Sequence, residues 1–140
     1  MTLVVDANVA LKWFVPQTDR LAALNVQSYA GPLIAPSIIF PEVANGLWRH
    51  VRSGDISSVR ANGAISALEK SFVEIVPDSQ LTSPALTIAI ALDHSPYDCI
   101  YLALAERENA KLVTADQAFF HKLFKTRRTK NIVLLHQWSP

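Results

Sequence analysis

The chain has 140 residues, half of them apolar and 18% charged, with a net charge of +1. That describes one ordinary domain with its own apolar core and excludes intrinsic disorder. A single cysteine excludes an intrachain disulfide and a zinc site built on several thiolates. The longest weakly polar run, residues 84–92, falls well short of the roughly 20 residues that span a bilayer.

Short apolar runs alternate with longer helical patterns. Residues 3–5 read as a buried strand ending at Asp6, and residues 7–14 as a helix stopped before Pro16. Residues 19–29 read as a second helix, ended by Gly31 and Pro32, and 33–35 as a short strand. Pro41 opens an amphipathic helix that runs to Ser53-Gly54. Its apolar stripe is Phe40, Val43, Ala44, Leu47, Trp48 and Val51, at helical spacing. Ser57 or Ser58 starts a further helix with Ile65, Leu68 and Phe72 on one side, and 73–76 is a strand. Thr82 opens a helix through Leu92. Ser95-Pro96 opens another through Glu108, apolar all round at 99–105 and therefore central. Residues 111–114 form a strand, 116–124 a helix and 132–135 a last strand. Strands separated by helices imply parallel pairing through right-handed crossovers, an α/β sandwich. Ligands of such sheets sit beyond the carboxyl ends of the strands.

Four acids fall at those ends or at helix N-termini: Asp6, Glu42, Asp98 and Asp116. Singly, each reads as well as a cap. Residues 95–98 and 114–117 match capping boxes, Asp6 is placed to cap the helix at Ala7, and Glu42 lies near a positive dipole end. Together, carboxylates brought within a few ångströms resist ionisation unless a counter-cation joins them. Hard divalent ions suit oxygen donors, so the set also reads as a metal cleft for phosphodiester chemistry. The charge distribution is uneven. Residues 1–116 carry 8 Lys/Arg and all 12 Asp/Glu, and residues 117–140 carry five Lys/Arg and no acid. Lys122, Lys125, Arg127, Arg128 and Lys130 are therefore candidate RNA contacts on a basic rim, with a solvated surface as the plain alternative. Lys12 and Arg49 are further candidates to face the cleft. Phe119 and Phe120, Trp13, Phe14 and Trp48 read as core.

Three segments, Val4–Trp13, Ser95–Glu106 and Leu112–Phe119, together with Pro41-Glu42, resemble the PIN-domain ribonucleases, most closely the VapC toxins of bacterial toxin–antitoxin pairs. The similarity covers positions 3 to about 135 with the acids in order, one domain over 1–140. The resemblance implies a three-layer α/β/α sandwich with a mainly parallel sheet of five or so strands. It implies that Asp6, Glu42, Asp98 and Asp116 hold one or two Mg²⁺ or Mn²⁺ ions, with Thr114 supporting the site and Asn8 holding the Asp6 turn. It further implies RNA hydrolysis leaving a 5′-phosphate and a 3′-hydroxyl, a VapB-like antitoxin as partner, and a homodimer. The N-terminus lacks the basic start of a signal peptide, so a cytoplasmic setting is expected. The competing reading is a non-catalytic PIN module that binds RNA or protein. A phosphoacceptor domain is disfavoured, because its late-strand lysine is replaced by Ala115-Asp116 and His136-Gln137. Cys99 sits in an apolar helix where a thiol is inert, and the four histidines show no ligand spacing.

Overall fold

The structure, a computed structural model, describes residues 1–140. Five parallel strands form one sheet: β1 (Leu3–Val5), β2 (Leu33–Pro36), β3 (Glu74–Val76), β4 (Lys111–Thr114) and β5 (Ile132–Leu134). Their spatial order is β3-β2-β1-β4-β5, with Val4 opposite both Ile34 and Leu112. Seven helices connect them: α1 (Ala7–Ala10), α2 (Arg20–Gln27), α3 (Ile39–Arg52), α4 (Ser58–Lys70), α5 (Thr82–Leu92), α6 (Pro96–Arg107) and α7 (Gln117–Leu123). From β1 the chain winds first toward β3 and then back toward β5. Right-handed crossovers therefore place α1–α4 on one face and α5–α7 on the other. The expected α/β/α sandwich is what forms. The winding direction reverses between β1 and β4, which opens a crevice at their carboxyl ends.

β1 and β2 are buried along their whole length, which explains why they read as continuous apolar runs rather than alternating ones. Residues 99–105 of α6 are all buried between the sheet and α5. Each large apolar side chain enclosed there contributes about 1.5–3 kcal/mol. This packing fixes the axis of α6, and with it the position of Asp98 in its first turn.

Local details depart from the sequence reading where tertiary contacts take over. The helix expected over 7–14 is one α-turn, Ala7–Ala10, tightening into a 3-10 turn over Leu11–Trp13. Arg20 donates to the carbonyls of Lys12 and Trp13, and the Trp13 indole N–H donates to the Ala23 carbonyl, so the short turn is tied to α2. α3 begins at Ile39, before Pro41. Proline is tolerated there because N–H groups of the first turn have no intrahelical acceptor. The buried stripe of α3 is Ile39, Val43, Gly46 and Leu47, rotated from the expected one. Trp48 is 54% exposed rather than core, with the Arg52 guanidinium 4.8 Å above its ring. A Cβ at Gly46 would lie 2.4 Å from Leu11 Cδ2, so this glycine lets α3 close onto the α1 region. Trp13 and Phe119 are buried as expected.

Candidate active site

The crevice between β1 and β4 gathers the acids. Asp6 follows β1 directly and is only 5% exposed. The side chain of Asp6 makes no capping bond to α1, which removes the capping reading for this residue. Instead Asp6 Oδ2 accepts a hydrogen bond from the Thr114 hydroxyl at 2.8 Å, from the end of β4. Thr114 Oγ1 in turn accepts from the Asn8 amide at 3.4 Å and the Asp116 N–H at 3.1 Å, while Asn8 Oδ1 accepts from the Ala115 N–H at 3.0 Å. Thr114 therefore opens no capping box. It is the junction through which the ends of β1 and β4 are locked together. Burial is the main cause that raises the Asp6 carboxyl to about 7, and the Thr114 hydrogen bond opposes it. The charges of Asp98 and Glu42 raise it further.

Glu42 stands on α3, across the crevice. Its Oε1 accepts from the Tyr101 hydroxyl at 2.6 Å, a bond that joins α3 to α6 over the sheet edge. Burial raises the Glu42 carboxyl, Tyr101 opposes, and Asp98 and Asp78 add to the rise. Burial, and then the charges of Asp6 and Glu42, push the Tyr101 phenol well up, so it stays a donor.

Asp98 does not close the expected capping box. Ser95 caps α6 by accepting from the Tyr97 N–H, and Asp98 Oδ2 meets His94 Nε2 at 2.6 Å. Asp116 does cap its helix: its Oδ1 accepts from the Phe119 N–H at 3.0 Å. Donor atoms of His94, Asp98 and Asp116 lie within 4.8 Å of one another. Asp6, Glu42 and Asp98 line one cleft of about 420 Å³, with Lys12, Asn45 and Arg49 also on its walls. Asp98 belongs to both groups and links them.

His94 is the functional residue that the sequence reading missed. It lies outside α6, so helical periodicity does not report it. Asp93 adopts a left-handed conformation (φ 51°) at the end of α5, which turns the next residue back over the crevice. Its ring stacks on Phe119, centroids 4.6 Å apart. Cys99 is buried, and burial pushes its thiol to about 11, as expected for an inert group.

None of the five C-terminal cations lines the acidic cleft. Lys122 Nζ donates to the Asp93 carbonyl at 2.6 Å, and Arg128 NH1 contacts both Glu106 oxygens, at 2.5 and 2.8 Å. Arg127, Arg128 and Lys130 line a separate cavity of about 380 Å³. It is built from residues that immediately precede β4 and β5, hence at the opposite end of the sheet.

The donor set of the crevice fits a hard divalent cation. Four side chains supply oxygen, one of them, Asp6, is buried and raised by its own confinement, and no Lys or Arg forms an ion pair with any of the four. The His94 nitrogen at one corner is compatible with a transition ion such as Mn²⁺.

Residues 3–124 match the PIN domain family. Over 124 residues the sequence is 33% identical to Ribonuclease VapC3 of Pyrobaculum aerophilum, covering 87% of this chain and 95% of that protein. In structure it resembles PAE2754 from Pyrobaculum aerophilum, with a TM-score of 0.69 and 21% identity over 97% of this chain and 90% of that one. It also resembles a chain of a toxin–antitoxin complex from Klebsiella pneumoniae, with a TM-score of 0.68 and 17% identity over 95% and 97% of the two chains.

Proposed function

Because this chain belongs to the PIN-domain family, we propose that it is a metal-dependent endoribonuclease, the toxin of a toxin–antitoxin pair. The observation that carries this reading is the meeting of Asp6, Glu42 and Asp98 in one cleft, with Asp116 beside Asp98 and no Lys or Arg ion-paired to the set. The ribonuclease relative and the toxin–antitoxin neighbour support it.

In this reading Asp6, Asp98 and Asp116 hold one or two Mg²⁺ or Mn²⁺ ions, with Glu42 as the fourth acid. Such an ion supplies Lewis acidity toward a phosphoryl oxygen and toward water. The chain supplies position. Thr114 fixes one oxygen of Asp6, Tyr101 one of Glu42, His94 one of Asp98 and the Phe119 N–H one of Asp116. Each carboxylate is thus oriented by a hydrogen bond at one oxygen, with the second oxygen left for a ligand. Asn8 holds the Thr114 hydroxyl and the Ala115 N–H, which keeps the Asp6 turn against β4. Asp6 carries a proton through part of the neutral range when no cation is bound, so a cation displaces it. The products are a 5′-phosphate and a 3′-hydroxyl.

Lys122, Lys125, Arg127, Arg128 and Lys130 act at longer range, drawing a polyanion toward the protein in a salt-dependent way. A VapB-like antitoxin and a second copy of the chain complete the reading, in the cytoplasm. No helix is long and apolar enough to cross a membrane. Leu86 and Ile90 on the outer face of α5, both exposed, offer apolar surface for assembly.

The test incubates structured RNA with the purified chain and with Asp98→Asn at matched melting temperature. Cleavage that needs Mg²⁺ or Mn²⁺, stops with chelator, vanishes in Asp98→Asn and leaves 5′-phosphate ends is the expected result. RNA binding without cleavage at any metal concentration would instead assign a non-catalytic module.

A further inference from the structure

The acidic cleft does not stand alone. Two more cavities, of about 660 and 250 Å³, border it. Lys12 and Gln17 line both the cleft and the larger of these, and Gln17 and Arg49 line both the cleft and the smaller. The three spaces form one branched channel with Gln17 at the fork. Its inner end holds Asp6, Glu42 and Asp98, with Lys12 and Arg49 on the same walls, and its outer branches are lined by Arg20, Arg49 and His50, with Asp55 bonded behind His50. Carboxylates therefore predominate at the inner end and cations toward the mouth.

The cations differ in what holds them. Lys12 Nζ donates to the Thr18 carbonyl at 2.9 Å, and Arg20 is held by the Lys12 and Trp13 carbonyls. Both brace the channel wall through these backbone contacts. The Arg49 guanidinium makes no hydrogen bond or ion pair within the chain; only the residue's backbone is engaged, the carbonyl accepting from Ser53. Arg49 follows Glu42 and Asn45 on α3 at i+7 and i+4, so one helix face carries an acid into the cleft and a free guanidinium to its mouth. Gln17 is positioned by a relay. Asp55 Oδ2 meets His50 Nδ1 at 2.7 Å, and Gln17 Nε2 meets His50 Nε2 at 3.1 Å. With Nδ1–H donated to Asp55, Nε2 accepts from the Gln17 amide, and the Gln17 carbonyl oxygen stays available to a ligand.

We propose that this channel is the track of the substrate strand: Arg49 binds a backbone phosphate flanking the scissile one, and Gln17 hydrogen-bonds the edge of an unstacked base. This rests on the nuclease reading and gives it a direction. A single nucleic-acid strand fits because it combines regularly spaced phosphates for the outer cations with splayed base edges for an amide, and the ribonuclease reading makes that strand RNA. A phosphodiester also supplies the negative charge that an ion in the inner cleft would share with Asp6 and Asp98. The basic cavity at the opposite end of the sheet is then outside the track.

The test measures affinity and contact separately from turnover. A 5′-fluorescein-labelled single-stranded 12-mer RNA is titrated by anisotropy, with Ca²⁺ in place of Mg²⁺, against wild type, Arg49→Ala, Arg49→Glu and Gln17→Ala. Arg49→Ala is expected to weaken binding about 10-fold and to lower the slope of log affinity against log salt by about 0.7, the value for one lost phosphate contact on a single strand. Arg49→Glu weakens it further, and Gln17→Ala reduces discrimination between base compositions without changing the slope. RNA carrying 4-thiouridine, irradiated on wild type, should crosslink to peptides containing Gln17 or Arg49. Wild-type binding and cleavage with unaltered Arg49 variants, or crosslinks confined to residues 126–131, would overturn the track and leave the nuclease reading standing. Absence of both RNA binding and cleavage in wild type would overturn both. Manganese binding measured by calorimetry on each variant shows that the inner cleft is intact.

Discussion

The two ends of the sheet treat charge in opposite ways. At the carboxyl ends of β1 and β4, Asp6, Glu42, Asp98 and Asp116 gather with no Lys or Arg paired to any of them. At the amino ends of β4 and β5, Arg128 meets both oxygens of Glu106, and Arg127 and Lys130 sit beside that pair. The second arrangement satisfies itself as it stands. The first is confined repulsion held in place by Thr114, Tyr101 and His94, and a divalent cation is its proposed complement. A charge cluster that the fold leaves uncompensated points to a ligand, whereas a partnered cluster points to surface structure.

The largest expected effect breaks the uncompensated end. Asp98→Asn removes a carboxylate shared by the cleft and the His94 cluster. We expect turnover to fall more than about 100-fold, beyond the 10–100-fold typical of residues that only orient a ligand. A gel assay on matched protein reads this. Thr114→Val tests the orienting group. It deletes the donor to Asp6 Oδ2 and should cost about 10–100-fold in metal affinity or activity with the fold intact by circular dichroism.

Asp6→Asn tests the cost of confinement in the absence of metal. The folded Asp6 carboxyl lies near 7 against an ordinary 3.8, so the folded state binds a proton more tightly than the unfolded one. Its destabilising contribution is absent below pH 3.8, grows as pH rises, and is complete above about 7. At about 1.4 kcal/mol per pH unit that is of order 4 kcal/mol as an upper bound. Metal-free Asp6→Asn should therefore melt higher than wild type at pH 7.5, and the gain should shrink toward pH 5. A gain independent of pH would contradict the assignment. Gly46→Ala probes the approach of α3 to Leu11, and we expect about 1–3 kcal/mol of destabilisation from overpacking, read by denaturant unfolding. The smallest effect belongs to the self-satisfied end. A double-mutant cycle on Glu106 and Arg128, a partly exposed pair, should give about 0.2–1 kcal/mol of coupling and no loss of cleavage.

The sequence made the sheet legible because its central strands are buried and its helices are long enough to show their period. The order of the acids and their placement at strand ends pointed to the crevice before any geometry was known. What periodicity missed lies between elements or depends on them. The stripe of α3 turned because Gly46 sits against Leu11, which exposes Trp48. His94 entered the site through a left-handed residue at the end of α5. The capping readings of Asp6, Asp98 and Thr114 failed because long-range partners 108 positions apart, or a neighbouring imidazole, took the side chains instead. Asp116 kept its capping role and still lies in the acidic cluster. The basic C-terminus was visible as composition, but only the position of the residues before β4 and β5 showed that Arg127, Arg128 and Lys130 line a cavity away from the cleft.

The most direct test of the central claim is a calorimetric titration of Mn²⁺ into wild type and Asp98→Asn at pH 6.5, in two buffers of different ionisation enthalpy. The account predicts saturable binding to wild type with proton release, as the cation displaces the proton of Asp6, and a large loss of affinity in Asp98→Asn. No saturable binding to wild type at millimolar Mn²⁺, or equal binding by both proteins, would contradict it.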